Sequence, residues 1–262
     1  MKRFGIIGDP ISHSMSPRLF TAAYHGRYPY DLIEGSGFDA SWDRFLREYD
    51  GFNVTAPFKE NAFRAVDRLS EAAARIGAVN LVVKTTEGTK GYNSDYDGVL
   101  LAIRETLSHP AGKALVIGCG GAGKAAAAAA LDLGYELTLA NRNAARAIAL
   151  AQSFDPAGGI SVIPLSDLRD ALSEADLILY TIPGPLDGYP PEAIREILSA
   201  RNSPACLLEA NYRNPLFDVS LPDNCTYISG RRWLFHQAAA GYVRFTGEVP
   251  DLDAIAAALP TR

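Results

Sequence analysis

Lys113-Ala114-Leu115-Val116-Ile117-Gly118-Cys119-Gly120-Gly121-Ala122-Gly123-Lys124 decides the fold of this 262-residue chain. An apolar run of buried-strand character leads directly into glycines spaced Gly118-x-Gly120-x-x-Gly123. The alanine-rich stretch that follows continues as a helix, with Gly134 as its stop. A second strand comes next, over 136–139. Strand, glycine turn, helix and strand in that order form the opening of a dinucleotide-binding unit. Glycine lets the backbone turn tightly and approach a pyrophosphate, and the helix N-terminus supplies unpaired N–H donors with positive potential. Gly118, Gly120, Gly121, Ala122 and Gly123 are therefore the candidate cradle. The same letters nearly spell a nucleoside-triphosphate loop, but position 125 is alanine, so the hydroxyl that would hold magnesium is missing.

The second strand ends in Ala140-Asn141-Arg142-Asn143-Ala144-Ala145-Arg146. A site for NAD usually places a carboxylate here, on the ribose 2′-hydroxyl, whereas arginine accommodates a 2′-phosphate. No acid is present. Arg142 and Arg146 lie four apart, on one face if the helix has begun, and guanidinium groups donate paired, planar bonds to phosphate. NADP is favoured over NAD.

Outward from this segment, short β-type runs alternate with helical stretches. Before it, strands are expected over 4–7, 30–34, 51–55 and 79–84, with helices from Pro17 and Ser41, between Glu60 and Ile76, and over 95–107. After it, strands are expected over 161–163, 177–180 and 206–209, then helices over 233–245 and 251–259. Such alternation predicts α/β architecture with mainly parallel sheets. A break at Ser108-His109-Pro110-Ala111-Gly112 suggests two domains, the first ending near residue 100.

Composition narrows the function classes. Hydrophobic residues make up 48% and charged residues 21%, which suits a globular core. A net charge of -5 disfavours nucleic acid or an anionic membrane as the main partner. The three cysteines, Cys119, Cys206 and Cys225, are odd in number and lack metal-ligand spacing, as expected of a reducing cytoplasm. His13, His25, His109 and His236 show no ligand spacing either, so no metal is inferred. The apolar stretch at the start is strand-length, and no run approaches a membrane span.

Two further strings carry chemistry. Asn53-Val54-Thr55-Ala56-Pro57-Phe58-Lys59 and Asn93-Ser94-Asp95 each set a charged residue beside short hydrogen-bonding side chains at what reads as a strand end. Lys59 and Asp95 could meet, giving a proton donor oriented by a carboxylate, and point to hydride transfer on a polyhydroxylated molecule. Near the start, Ser12-His13-Ser14-Met15-Ser16-Pro17 opens a helix. There Ser14 and Ser16 either cap the helix or turn hydroxyls to a substrate carboxylate.

In this order and spacing these strings, with Gly77-Ala78-Val79-Asn80, Asn141-Arg142, Tyr212 and Gln237-Ala238, resemble the shikimate dehydrogenase family over nearly the whole chain. The resemblance implies NADPH-dependent reduction of 3-dehydroshikimate to shikimate in chorismate and aromatic amino-acid biosynthesis, by a cytoplasmic monomer or homodimer. It implies a substrate domain over 1–100, a Rossmann NADP domain over 101–230, and a helical segment, 231–262, returning to the first. Lys59 and Asp95 would be the catalytic pair. Ser14 and Ser16 would take the substrate carboxylate, and Thr55, Asn80, Tyr212 and Gln237 the ring substituents. Cofactor contacts would come from the glycine loop, Asn141, Arg142, Arg146, Thr181 and Gly230. Alternatives are an enzyme that also takes quinate, with relaxed substrate or cofactor choice that extends to NAD, or a non-catalytic sensor of shikimate-type ligands and nucleotide. Retention of both Lys59 and Asp95 weighs against the sensor.

The chain departs from the family pattern at Leu81, Ser94, Glu209, Asn214, the 180–184 loop and Gly230-Arg231-Arg232-Trp233-Leu234. Glu209 stands where aspartate is common. The resemblance implies that Trp233 lies near the nicotinamide, and the alternative is a core tryptophan that anchors the returning helix.

Replacing Arg142 with alanine should weaken NADPH binding tenfold to a hundredfold, since a charge-assisted contact contributes about 1.5–3 kcal/mol. NADH binding should barely change. Fluorescence titration of both cofactors checks this, and equal losses would show that Arg142 supports the fold instead.

Overall fold

Two sheets organise the chain, one in each of two compact units, Met1–Gly98 with the chain from Phe235 on, and Val99–Leu234. The computed structural model describes residues 1–34, 37–218 and 221–259. The first unit runs β1 (Phe4–Gly8), α1 (Ser16–Ala23), β2 (Tyr30–Glu34), α2 (Gly37–Glu48), β3 (Gly51–Val54), α3 (Lys59–Ala65), β4 (Arg68–Leu69), α4 (Glu71–Ile76), β5 (Leu81–Thr85), β6 (Gly88–Tyr92) and the start of α5 (Ser94–Thr106). The strand order is β2-β1-β3-β5-β6-β4. β1 pairs parallel with β2 and β3, but β5 runs antiparallel to both β3 and β6. This sheet is mixed, where alternation alone suggested mainly parallel pairing. β4 and β6 were not visible in the sequence. β6, with two glycines and a lysine in five residues, has little strand propensity, and its register against β5 fixes it.

The second unit continues with β7 (Gly112–Ile117), α6 (Gly121–Asp132), β8 (Tyr135–Ala140), α7 (Ala144–Phe154), β9 (Ser161–Ile163), α8 (Leu168–Glu174), β10 (Leu177–Tyr180), α9 (Pro191–Ser199), β11 (Ala205–Glu209) and β12 (Cys225–Ile228). Its order, β12-β11-β10-β7-β8-β9, is parallel throughout. That is the doubly wound dinucleotide-binding arrangement, whose strand order reverses between β7 and β10. Ligands of such sheets bind beyond the C-terminal strand ends at that point. Ala125 to Ala130 of α6 are all buried, and their small side chains let the helix lie close on the sheet.

The chain then forms α10 (Gly230–Thr246) and α11 (Leu252–Ala258). The later part of α10 completes the first unit's core. Phe245 stacks on Phe4 of β1 with ring centroids 5.0 Å apart, and Tyr242 meets Phe20 of α1 edge-on at 4.9 Å. Arg244 pairs with Asp97 at 2.6 Å. Burying each such ring contributes about 1.5–3 kcal/mol, which explains why a segment so late in sequence belongs to the first unit. Another cluster, with Ile7, Phe45, Tyr49, Phe52 and Val54 at its centre, forms a further part of this core.

All three cysteines are free and buried. Burial pushes the Cys206 thiol up to about 12 and those of Cys119 and Cys225 up to about 11. A raised thiol stays protonated until the pH passes that value, and only the thiolate is nucleophilic. At pH 8 the native protein should therefore show almost no reaction with a disulfide reagent over minutes, and all three cysteines should react after denaturation. Rapid native labelling would contradict this burial.

Candidate active site

Lys59 and Asp95 meet although 36 residues separate them. Lys59 opens α3 just after β3, and its carbonyl accepts from Val79 N–H at 3.0 Å. Asp95 lies in the first turn of α5, whose start is set by Asn93: its Oδ1 accepts from Tyr96 N–H at 3.2 Å, and its Nδ2 donates to Ala78 O at 3.0 Å. An asparagine cap and a carboxylate in the first turn both suit a helix N-terminus. Lys59 Nζ donates to Asp95 Oδ2 at 2.5 Å, with side chains 20% and 9% exposed. The ammonium is thus held by a nearly buried carboxylate yet keeps access to solvent.

Asn80 sits beside this pair and is buried. Its Oδ1 accepts from Ser94 N–H at 2.7 Å and from the Ser94 hydroxyl at 3.3 Å. Its Nδ2 has no partner among the described residues. A buried donor left without an acceptor is costly, so a ligand oxygen here would recover a bond. Thr55 follows β3, its backbone N–H bonded to Ile7 O at 2.9 Å. Gln237 is half-buried on α10.

Ser14 and Ser16 are half-exposed at the start of α1. The helix begins at Ser16 after Met15, and no side chain caps it. Ser14 Oγ instead accepts from Ser16 N–H at 3.2 Å. Ser16 is gripped by two tyrosines that the sequence reading did not single out. Tyr242 donates to Ser16 O at 3.2 Å, and the Tyr30 phenol shares a hydrogen bond with the Ser16 hydroxyl while donating to Asn53 Oδ1 at 2.7 Å. Burial pushes the Tyr30 phenol well above its ordinary range, so it remains a neutral donor. Strand alternation was the signal that could have placed Tyr30; nothing local marked Tyr242.

In the second unit, Gly118 has φ +101°, a left-handed conformation natural only to glycine. At Gly123 a Cβ would come within 1.9 Å of Gly118 O, so a side chain there would fill the turn. Gly120 precedes α6, leaving Gly121 and Ala122 to open its first turn. Asn141 Oδ1 accepts from Cys119 N–H at 3.1 Å, fastening the turn after β8 to the glycine loop. A cavity of about 340 Å³ is lined by Gly118, Asn141, Arg142, Ile182, Pro183 and Asp187, among others. α7 begins only at Ala144, with Asn143 as its cap, so Arg142 precedes the helix and shares no helix face with Arg146, contrary to the expectation from their spacing. Arg142 and Arg146 are both exposed. Thr181 gives its hydroxyl to Ile117 O at 2.8 Å and Gly118 O at 3.1 Å, which holds the loop's carbonyls in place. At Gly230 a Cβ would lie 2.6 Å from Ala210 O, so α10 starts in close contact with the turn after β11. The positive-φ turn, the side-chain-free approach and the arginine at the cavity fit a dinucleotide.

Glu209, at the end of β11, is fully buried. Its carboxylate accepts from Leu216 N–H at 2.7 Å, Phe217 N–H at 3.2 Å and the Tyr227 hydroxyl at 3.0 Å. Burial raises its pKa, opposed by those three donors. Tyr212 is half-buried in the loop that Glu209 closes. Among the other departures, Arg232 pairs with Glu105, and Trp233 is buried.

An α/β protein with a dinucleotide cradle in one unit and an ammonium–carboxylate pair in the other is a candidate oxidoreductase. Comparison with known proteins makes the class specific. Residues 6–82 match the family described as "Shikimate dehydrogenase substrate binding domain", and residues 101–226 match "Shikimate / quinate 5-dehydrogenase". The chain belongs to the shikimate dehydrogenase family. It is 35% identical to shikimate dehydrogenase (NADP(+)) of Acidiphilium cryptum, over 95% of this chain and 92% of the relative. The crystal structure of shikimate 5-dehydrogenase from Thermus thermophilus, in complex with NADP(H) and shikimate, superposes with TM-score 0.82 at 28% identity, covering 99% of this chain and 98% of the other. Quinate dehydrogenase from Corynebacterium glutamicum in complex with NAD gives TM-score 0.86 at 25% identity, over 98% of both chains.

Among the described residues, no group of three or more histidine, cysteine or acidic side chains is arranged to hold a metal ion. No described helix is long and apolar enough to cross a membrane.

Proposed function

We propose that this chain catalyses the reversible, NADP-dependent interconversion of 3-dehydroshikimate and shikimate. NADPH supplies the hydride that adds to the ring ketone. The carbonyl oxygen then needs a proton as the C=O bond becomes an alcohol, and Lys59 Nζ is the donor. Asp95 fixes the direction of that ammonium and accepts from a substrate hydroxyl. Ser14 and Ser16 hold the substrate carboxylate, Asn80 Nδ2 takes a ring oxygen, and Thr55, Tyr212 and Gln237 take the remaining substituents. In the second unit the glycine loop receives the pyrophosphate at the start of α6, with Asn141, Arg146, Thr181 and Gly230 shaping the site, and Arg142 reads the 2′-phosphate.

The observation that carries this reading is the Lys59–Asp95 contact of 2.5 Å beside the unpartnered Asn80 Nδ2. The NADP-dependent name of the Acidiphilium cryptum relative supports the cofactor. The likeness to an NAD-bound quinate dehydrogenase makes quinate the competing substrate, and Arg142 in place of an acid argues against NAD. Nicotinamide absorbance followed with shikimate and quinate, each against NADP and NAD, separates the two. Shikimate with NADP should give the highest kcat/KM; a preference for quinate with NAD would overturn the assignment.

Lys59→Ala should lower kcat by roughly a hundredfold or more, the ordinary worth of a positioned general acid. KM for shikimate should change much less, because the carboxylate and ring donors remain. Near-normal turnover in this variant would remove Lys59 from the reaction.

A further inference from the structure

Two loops of the second unit, residues 181–187 and 210–217, share one fastening. Beneath them, Tyr180 donates to Gly184 O at 2.8 Å, and its ring meets Phe217 edge-on at 5.1 Å. Phe217 N–H is held in turn by the buried Glu209. At the other end of the second loop, Asn211 uses every hydrogen-bonding position of its amide. Its Oδ1 accepts from the backbone N–H groups of Arg213 and Asn214, both at 3.2 Å. Its Nδ2 donates to Asn214 O at 2.9 Å and to Pro183 O at 3.0 Å.

Two donors and two acceptors are the full complement of an asparagine side chain. The amide therefore has one satisfied orientation, since a flip would set N–H against N–H and carbonyl against carbonyl. Three of its bonds bracket Tyr212 within a tight turn. The fourth leaves the loop for Pro183, which lines the same cavity as Arg142, Asn141 and Gly118.

We propose that Asn211 is a positioning residue that couples occupancy of this cavity to the pose of Tyr212. A ligand that orders the 182–187 wall holds Pro183 O where Asn211 Nδ2 can meet it, and the same amide sets the backbone on both sides of Tyr212. This rests on the reading in which the cavity takes part of NADP and Tyr212 meets the substrate. Coupling of this kind is reciprocal, so each ligand strengthens the other by one factor. A single neutral hydrogen bond limits that factor to roughly threefold to tenfold.

The test uses the full chain and the unreactive pair NADPH and shikimate, both reduced, in calorimetric titrations. Asn211→Asp keeps the acceptor for Arg213 and Asn214 N–H but sets a second acceptor against both Pro183 O and Asn214 O, so two of the three turn bonds survive and the link breaks. In the wild type, saturating NADPH should lower the shikimate Kd by that factor. In Asn211→Asp the factor should fall to within about twofold of unity, while each ligand alone binds within about twofold of wild type. Asn211→Ala should lose the coupling as well. A wild type without coupling, or an Asn211→Asp variant that keeps it, overturns the proposal. So does a variant that weakens both ligands alone and retains the factor, because that marks a residue merely holding the loop. Tyr212→Phe with unchanged shikimate affinity would instead remove Tyr212 from the substrate site, and the functional reading beneath the proposal would fail on its own arm.

Discussion

An ammonium and a carboxylate held 2.5 Å apart in a nearly buried corner are the constraint around which the first unit is arranged. Removing two charges from water costs more than a typical ion pair recovers, so such a pair is a poor way to stabilise a fold. On the function proposed above, the pair serves instead as a proton donor held in a fixed direction. The surroundings agree. β3 delivers Lys59 to the start of α3, Asn93 caps α5 so that Asp95 faces it, and Ser94 and Asn80 lock the turn between them. These contacts are short, and among the described residues they leave both N–H donors of Asn80 Nδ2 still to be used.

The chemistry of the second unit was the most legible in sequence, because a tight turn against a pyrophosphate admits few residues. Gly118 has the positive φ and Gly123 the close approach that the motif requires. The first unit was legible as strings around Lys59 and Asp95, since strand ends and a helix cap are local features. What escaped was set by tertiary pairing. β4 and β6 are short or glycine-containing and exist through their neighbours. Tyr242 reaches Ser16 across 226 positions, which no local pattern records. Arg142 does line the cavity, but the helix face expected of it is absent, because Asn143 delays the helix by capping it.

The departures from the family pattern are absorbed by packing. Leu81 is fully buried in β5 between Asn53 and Tyr92 in register. Ser94 keeps the hydroxyl that meets Asn80. Glu209 still reaches two backbone donors and a phenol, and these hydrogen bonds to the charged form offset part of its desolvation, which still raises its pKa. Arg232 finds Glu105 on α5. The Lys59–Asp95 contact forms with all of these residues in place.

Whether that pair acts as one unit is the central question, and a double-mutant cycle on kcat answers it most directly. The cycle compares Lys59→Ala, Asp95→Asn and the combined variant. Residues that work through each other give strongly non-additive losses. The combined variant should therefore be no slower than Lys59→Ala alone, within about threefold, because Asp95 acts by directing an ammonium that is already gone. Losses in kcat that simply multiply would contradict the account and give Asp95 a part in turnover beyond directing the ammonium and holding a substrate hydroxyl.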